Sequence, residues 1–522
     1  LLLYLLFTDR VAGLFADDAW YALLAKSIAT GHGYQVINSP TPGILPLYPP
    51  LYSLLLSIPF RLFPDFPQNV IALKSVSIAA MMGLGVVGFF YFSRYRRVPV
   101  KLSLILVALS LLCQPLMFLA TSSLMSECVF ALEMMATYLV GERLVGKAGA
   151  AEKGLDWTNA LLLAALVAAV FLTRTIGVVL VVGVLIDLIR KRFFREFVIV
   201  VLFSGLVVGS WTLYTRSRVP TPEQRIEQGG NIIMNYREAF WQRVAGVDSG
   251  KPVTWSELPN RVWENVRIIV DTGALYICAP PLPRILSSLK DFSPQLPVIL
   301  RLLASVALVL LIISGYFSAV RAGVTAAELG MPLMLTLIVI WPFRPLRFLA
   351  PLAPFIFFYL ITGAGQVWQW MKRGRQVQVD GYAPTLAVAV ILLATSMIGH
   401  CWSLYDQQAA GPMSFTWEEA FEDNERLMAW VSANIPKSEV IISNNPALLT
   451  LFTGHKSVHL NLTPARWEFF RNANLRYVVV HQFDGNNVSL PGNNFVLHRI
   501  TNEANFGVID LGPPANRPAY VP

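Results

Sequence analysis

Mostly apolar runs of about 16 to 22 residues recur along this chain, each long enough to cross roughly 30 Å of hydrocarbon with modest tilt or flanking anchors. They lie near 69–92, 102–120, 127–145, 158–173, 175–189, 197–214, 298–319, 326–343, 348–366 and 383–402. A further stretch, Leu1 to Phe7, opens the chain without a methionine and reads as a first span cut short rather than a signal peptide. The pattern predicts a mainly α membrane protein, a polytopic bundle of about eleven transmembrane helices. Composition agrees, with 55 % apolar residues, only 14 % charged residues and a mean hydropathy of +0.54.

Charge gives the expected orientation. With the first span leaving the cytoplasm, alternation puts Arg94, Arg96, Arg97 and Lys101 inside, then Arg143, Lys147 and Lys153, then Arg190, Lys191, Arg192 and Arg195, then Lys372, Arg373 and Arg375. All the strong basic clusters fall on one side, as the positive-inside preference requires. The net charge of +9 is therefore a topology signal, and nucleic acid is not expected as a partner. The four cysteines, Cys113, Cys128, Cys278 and Cys401, show no paired spacing, so neither a disulfide framework nor a metal knuckle is expected.

Three polar segments then face outward: 8–68, 215–297 and the tail from about 403. In the first, a helix is expected from Ala19 to Thr30, stopped by Gly31, followed by an apolar stretch from Tyr48 to Phe63 broken by Pro49, Pro50 and Pro59. Both read as interfacial. In the second, Leu258, Val262, Val266 and Ile269 keep helical spacing beside Trp255 and Trp263, which suits a helix lying on the membrane. In the tail, Leu427, Trp430 and Val431 line a helix face, and Glu439–Ile442 and Tyr477–Val480 read as buried strands. The expected division is a transmembrane domain, 1–402, and a small extracytoplasmic α/β domain, 403–522.

Several side chains are candidates for chemistry. Asp17 and Asp18 place two carboxylates just beyond a span, where one can act as a general base; Asp at a helix start also caps orphan N–H groups and complements the dipole. Arg344 and Arg347 lie at an outward junction, against the charge preference, where a guanidinium can hold a lipid phosphate or snorkel to headgroups. Lys74 and Arg174 stand at similar depth, each also readable as an interface anchor. Glu127 and Glu133 enter or lie within a span, where unpaired carboxylates are costly; six residues apart, they sit on different helix faces, and Glu133 suits an interhelical hydrogen bond. His32 is an external loop histidine near the Asp pair.

Gly83-Leu84-Gly85-Val86-Val87-Gly88 spells a dinucleotide fingerprint, but inside an apolar span its small residues serve close helix packing. Asn461-Leu462-Thr463 and Asn487-Val488-Ser489 are sequons that matter only in a glycosylating host.

Five motifs stand in order: Asp17-Asp18-Ala19-x-Tyr21, Gly31-His32-Gly33-Tyr34, Tyr48-Pro49-Pro50-Leu51-Tyr52, Ser122-Ser123-Leu124-Met125-Ser126-Glu127 and Leu172-Thr173-Arg174. With the outward tail, they resemble the GT-C superfamily of membrane glycosyltransferases, near the dolichyl-phosphate-mannose protein mannosyltransferase and lipid A aminoarabinose transferase branch. The resemblance implies sugar transfer from a polyprenyl-phosphate donor to an acceptor hydroxyl at the outer face, usually with inversion, with Asp17 as base and Asp18 as supporting carboxylate. Where the aminoarabinose branch has a charged pair before the proline of its second motif, this chain has Leu47-Tyr48, so the phosphate contact there is not carried over.

The expected site thus comprises Asp17 and Asp18, Arg344, Arg347 and Lys74 for the donor phosphate, and His32, Tyr48, Glu127 and Arg174 near the substrate. No cofactor is assigned; a divalent metal stays compatible, although Asp17 and Asp18 alone are too few ligands to argue one. The expected acceptor is a glycolipid, polysaccharide or protein, and the expected location is a bacterial inner membrane with the site extracytoplasmic. A secondary transporter or lipid flippase is the alternative, and it lacks the internal repeat that class usually carries.

Overall fold

The structure is a computed structural model that describes residues 1–15, 17–41, 43–147, 156–221, 224, 236–242, 252–291, 293–372, 383–409, 416–460, 464–480, 496–499 and 507–512. Lys153, Arg373, Arg375 and both sequons lie outside the described residues.

Each apolar run expected to span is helical. Among the described residues, Val70–Tyr95, Phe194–Arg216, Leu296–Ala322, Leu346–Met371 and Thr385–Trp402 are long and apolar enough to cross a membrane. Val100–Leu111 and Gln114–Thr121 form a sixth, bent by 51°, where Pro115 enters the first turn and its missing N–H breaks the ladder. The runs near 158–173 and 326–343 give shorter helices, Trp157–Thr173 and Ala326–Ile340. Glu127–Lys147 is a 21-residue helix.

Small residues decide how closely these helices approach. A Cβ on Gly315 would stand 1.7 Å from the Tyr359 carbonyl oxygen, and one on Gly363 would stand 1.9 Å from that of Leu311. Leu296–Ala322 and Ala353–Lys372 therefore pack backbone to backbone. Gly83 and Gly85 meet Leu132 and Leu111 in the same fashion, so the fingerprint-like run is a packing surface. At the far end of the Val70 helix, Arg96 forms a two-pronged ion pair with the buried Glu328, at 2.8 and 3.1 Å, and Tyr359 adds a hydrogen bond to the same carboxylate.

Two of the expected interfacial helices differ from expectation. Asp17–Ala29 begins two residues early and is buried along nearly its whole length, so it is enclosed by protein rather than laid against lipid. The prolines of Tyr48–Phe63 do not break that stretch: Pro49 caps and Pro50 starts a single helix, Pro50–Leu62, that carries Pro59 inside it. Leu258–Ile268 is helical as its spacing implies, with Trp255 and Trp263 exposed.

The tail folds into a mixed sheet of strands β1 (Ile441–Ser443), β2 (Ser457–His459), β3 (Tyr477–Val480), β4 (Val496–Arg499) and β5 (Gly507–Asp510), in the order β2-β1-β3-β5-β4. β1 runs parallel to β2 and β3; β5 runs antiparallel to β3 and β4. Ile441, Val479 and Val508 face Leu427, Val431 and Leu449, while Ile442, Val458 and Val478 face Trp467 and Phe470. Both sheet faces are covered, which is why these strands read as continuous apolar runs.

This unit docks on the first polar segment. Ser457 donates its backbone N–H to Asn38 at 2.7 Å, Asn38 returns a side-chain bond to the Ser457 carbonyl, and Lys456 reaches the Ile37 carbonyl. The buried Pro446–Thr453 helix packs against Asp17–Ala29.

Candidate active site

Asp17 sits in the first turn of its helix, 30 % exposed. Tyr48 Oη donates to Asp17 Oδ1 at 2.8 Å, and Arg347 Nη2 donates to Oδ2 at 3.0 Å. The Arg347 guanidinium, 22 % exposed, also places Nε 3.2 Å from Oε1 of the fully buried Glu127. Arg174 Nη1 approaches the same oxygen at 2.9 Å and donates to Ser126 Oγ, which in turn meets the Tyr21 hydroxyl. Glu127 thus has two cations at ion-pair distance, while neither of its oxygens has a hydrogen-bond partner among the described residues. Phe348 lies under both guanidiniums, 5.2 Å from Arg347 and 5.5 Å from Arg174, and Phe15 lies 5.5 Å from Arg347. These faces limit water around the charges and add cation–π attraction.

Asp18 plays a different part. It is fully buried and accepts backbone N–H groups of Gly13, Leu14, Phe15 and Ala19. Burial pushes its carboxyl up to about 6, against the backbone hydrogen bonds that hold it down. It therefore shapes the loop leading into Asp17 and does not face a substrate. Gly13, at φ +87°, takes a left-handed turn in that loop and lies under Leu448 of the docked tail.

The other expected residues divide clearly. Tyr48 joins the cluster, and its loop is tied by Tyr34, whose hydroxyl reaches the carbonyls of Leu45 and Tyr48. Tyr34, not His32, is therefore the connected residue of Gly-His-Gly-Tyr; His32 is exposed and bonds Thr30. Lys74 is fully buried and pairs with Asp9 at 2.5 Å, so a phosphate could not reach it without breaking that pair. Arg174, readable as an interface anchor, is instead drawn to Glu127. Glu133 accepts a hydrogen bond from Thr173 at 2.9 Å, the interhelical role expected of it. Arg344 is exposed and has no ion pair among the described residues. Its loop is pinned by the buried Asn265, which donates to the carbonyls of Val339 and Trp341.

Sequence reasoning missed Tyr21, Ser126, Asn265 and Phe348. Tyr21 and Ser126 stand in the motifs that carry the resemblance, but nothing local distinguishes them from an ordinary helix tyrosine and a helix-start serine. It also missed the Arg301–Asp271 pair, 3.1 Å apart. Among the described residues no three His, Cys, Asp or Glu side chains converge as a metal set, and both Asp17 oxygens are engaged by Tyr48 and Arg347. Among the described residues the donor set does not make a metal site.

No family model matches this sequence, and no curated protein matches it either. Solved structures do. ArnT from Cupriavidus metallidurans in the apo state matches with a TM-score of 0.55 and 10 % identity, over 97 % of this chain and 95 % of that one. The same protein bound to undecaprenyl phosphate gives 0.54 and 11 %, over 97 % and 96 %. The Archaeoglobus fulgidus oligosaccharyltransferase in complex with Zn and sulfate gives 0.51 and 12 %, over 89 % and 63 %. The chain therefore has the fold of ArnT and of the archaeal oligosaccharyltransferase. The chain is a multi-pass membrane protein built on it, and the likeness to ArnT covers almost its whole length.

Proposed function

We propose that this GT-C protein is a glycosyltransferase that moves a sugar from a polyprenyl-phosphate donor to an acceptor hydroxyl at the outer face of a bacterial inner membrane, with inversion. The observation that carries the reading is Asp17: a partly exposed carboxylate at a helix start, 3.0 Å from a guanidinium, on a GT-C fold. The similarity to an ArnT structure bound to undecaprenyl phosphate supports a polyprenyl-phosphate donor.

In this reading Asp17 takes the proton of the acceptor hydroxyl as its oxygen bonds to the anomeric carbon, on the face opposite the phosphate. The bond from that carbon to the phosphate oxygen breaks, and polyprenyl phosphate leaves as an anion that needs no proton. Arg347 and the exposed Arg344 neutralise it. Tyr48 orients Asp17, Asp18 holds the loop behind it, and the 403–522 domain braces that loop. The acceptor is a glycolipid, polysaccharide or protein.

The test uses purified protein in liposomes with radiolabelled polyprenyl-phosphate sugars and a membrane extract as acceptor. Asp17→Asn is expected to slow transfer by about 10²- to 10⁴-fold, the usual contribution of a positioned general base. Transfer by Asp17→Asn at the wild-type rate would refute the base assignment.

A further inference from the structure

The charges around Asp17 close on themselves. Asp17 and Glu127 supply two carboxylates, Arg174 and Arg347 two guanidiniums, and each guanidinium already touches a carboxylate. An arriving phosphate therefore finds no spare cation in the cluster itself; among the described residues Arg344, on the exposed loop, is without an ion pair.

The two contacts of Arg347 are not equivalent. Its Nε end lies against Glu127, which is fully buried on the Glu127–Lys147 helix and cannot follow a ligand. Its Nη2 end lies on Asp17, which is partly exposed and separately held by Tyr48. Both buried oxygens of Glu127 are without a hydrogen bond among the described residues, so the guanidinium is held there by charge at 3.2 Å. Such an oxygen gains from any N–H turned toward it. Arg347 is thus hinged at Nε, with its Nη edge free to change partner.

We propose that Arg347 is a shared cation: the phosphate of the donor displaces Asp17 from its Nη edge, so that donor binding itself frees the base, while Glu127 holds the guanidinium through the exchange. This rests on the proposed transferase reading and adds an order to it, donor before acceptor. Until a donor is present, Oδ2 of Asp17 is covered by Arg347, which keeps the base from activating water or an acceptor with no sugar to transfer.

The exchange has a signature that a passive phosphate ligand lacks. If Asp17 competes with phosphate for Arg347, abolishing its charge tightens phosphate binding even as it slows transfer. Binding of a long-chain polyprenyl phosphate to the full-length protein in nanodiscs is measured by microscale thermophoresis for wild type, Asp17→Asn, Arg347→Ala and the double variant. The uncharged polyprenol and inorganic phosphate serve as parallel probes, separating tail from headgroup. Asp17→Asn is expected to bind the polyprenyl phosphate about tenfold more tightly than wild type, equivalent to about 1.4 kcal/mol, and the gain is expected to vanish in the Arg347→Ala background. The polyprenol is expected to show no such gain.

Wild-type binding with no tightening in Asp17→Asn would overturn the shared-cation assignment and leave the transferase reading standing. An equal gain in the Arg347→Ala background would also overturn it, by showing general charge removal. No polyprenyl phosphate binding by either wild type or Asp17→Asn would overturn both. Thermal midpoints identify folded variants, and Arg347→Gln, which removes the charge but keeps more of the side chain's volume, replaces Arg347→Ala if the alanine form is unstable.

Discussion

Gly13→Ala tests whether the tail domain braces the loop that leads into Asp17. The new Cβ would stand 2.6 Å from Leu448 Cδ2 and 2.8 Å from Cδ1, at a backbone φ of +87°. Two costs follow. Holding a non-glycine residue in that region costs about 1–3 kcal/mol, and overpacking a filled site costs about 1–3 kcal/mol. Leu448 is fully buried, so its methyls have nowhere to go without moving the Pro446–Thr453 helix. The combined cost of about 2–6 kcal/mol falls on the contact between the tail and the Asp17 helix. Hydrogen exchange read by mass spectrometry over peptides covering 13–24 and 446–453 reports the local opening free energy directly. Both peptides are expected to lose protection together. Adding Leu448→Ala removes the clash but keeps the φ strain and adds a cavity cost of about 2–5 kcal/mol of its own, so against the Leu448→Ala single variant the two losses are expected to be less than additive. Wild-type protection in Gly13→Ala, or full additivity in that cycle, would refute the bracing.

Other substitutions probe separate links. Asp18→Ala leaves the N–H groups of Gly13, Leu14 and Phe15 without their acceptor, and is expected to lower kcat more than donor affinity; equal effects on both would place Asp18 in substrate binding. Arg96→Ala strands the buried Glu328 carboxylate at a cost of about 3–5 kcal/mol, expected as a lower thermal midpoint that Glu328→Gln partly restores in the double variant. Asn265→Ala releases the Trp341 carbonyl and is expected to raise the donor KM several-fold with kcat nearly unchanged, because Arg344 loses its fixed loop. Acid is expected to weaken the tail domain: burial, then Arg466, pushes the His459 imidazole down to about 3. The folded form resists a proton that the unfolded chain accepts near pH 6.5, so this stability is present above that pH and lost as pH falls toward 3. Retained protection of β2 in hydrogen exchange near pH 4 would contradict that.

Much of the bundle was legible because lipid imposes a length and a hydropathy that a linear sequence displays without help from its neighbours. The same holds for the strand at Tyr477–Val480, buried on both faces, and for Asp17, whose position at a helix start beyond an apolar run is a local fact. The enclosed Asp17–Ala29 helix was misread because a helix covered by protein and one lying on lipid carry similar residues. Local sequence could not decide the partners of the charges. Lys74 and Arg174 look alike as single cations near helix ends, yet one is absorbed by Asp9 and the other drawn to Glu127. Asp17 and Asp18 are adjacent, and helical geometry turns one toward Tyr48 and Arg347 and the other into the loop's own N–H groups. An ion pair between residues 17 and 347 is set by how helices pack, through contacts such as Gly315 against Tyr359, and no spacing along the chain encodes it. The sequence by itself determined a membrane bundle with a carboxylate at a helix start; the tertiary structure alone decided which arginine that carboxylate shares, because charges are matched in space.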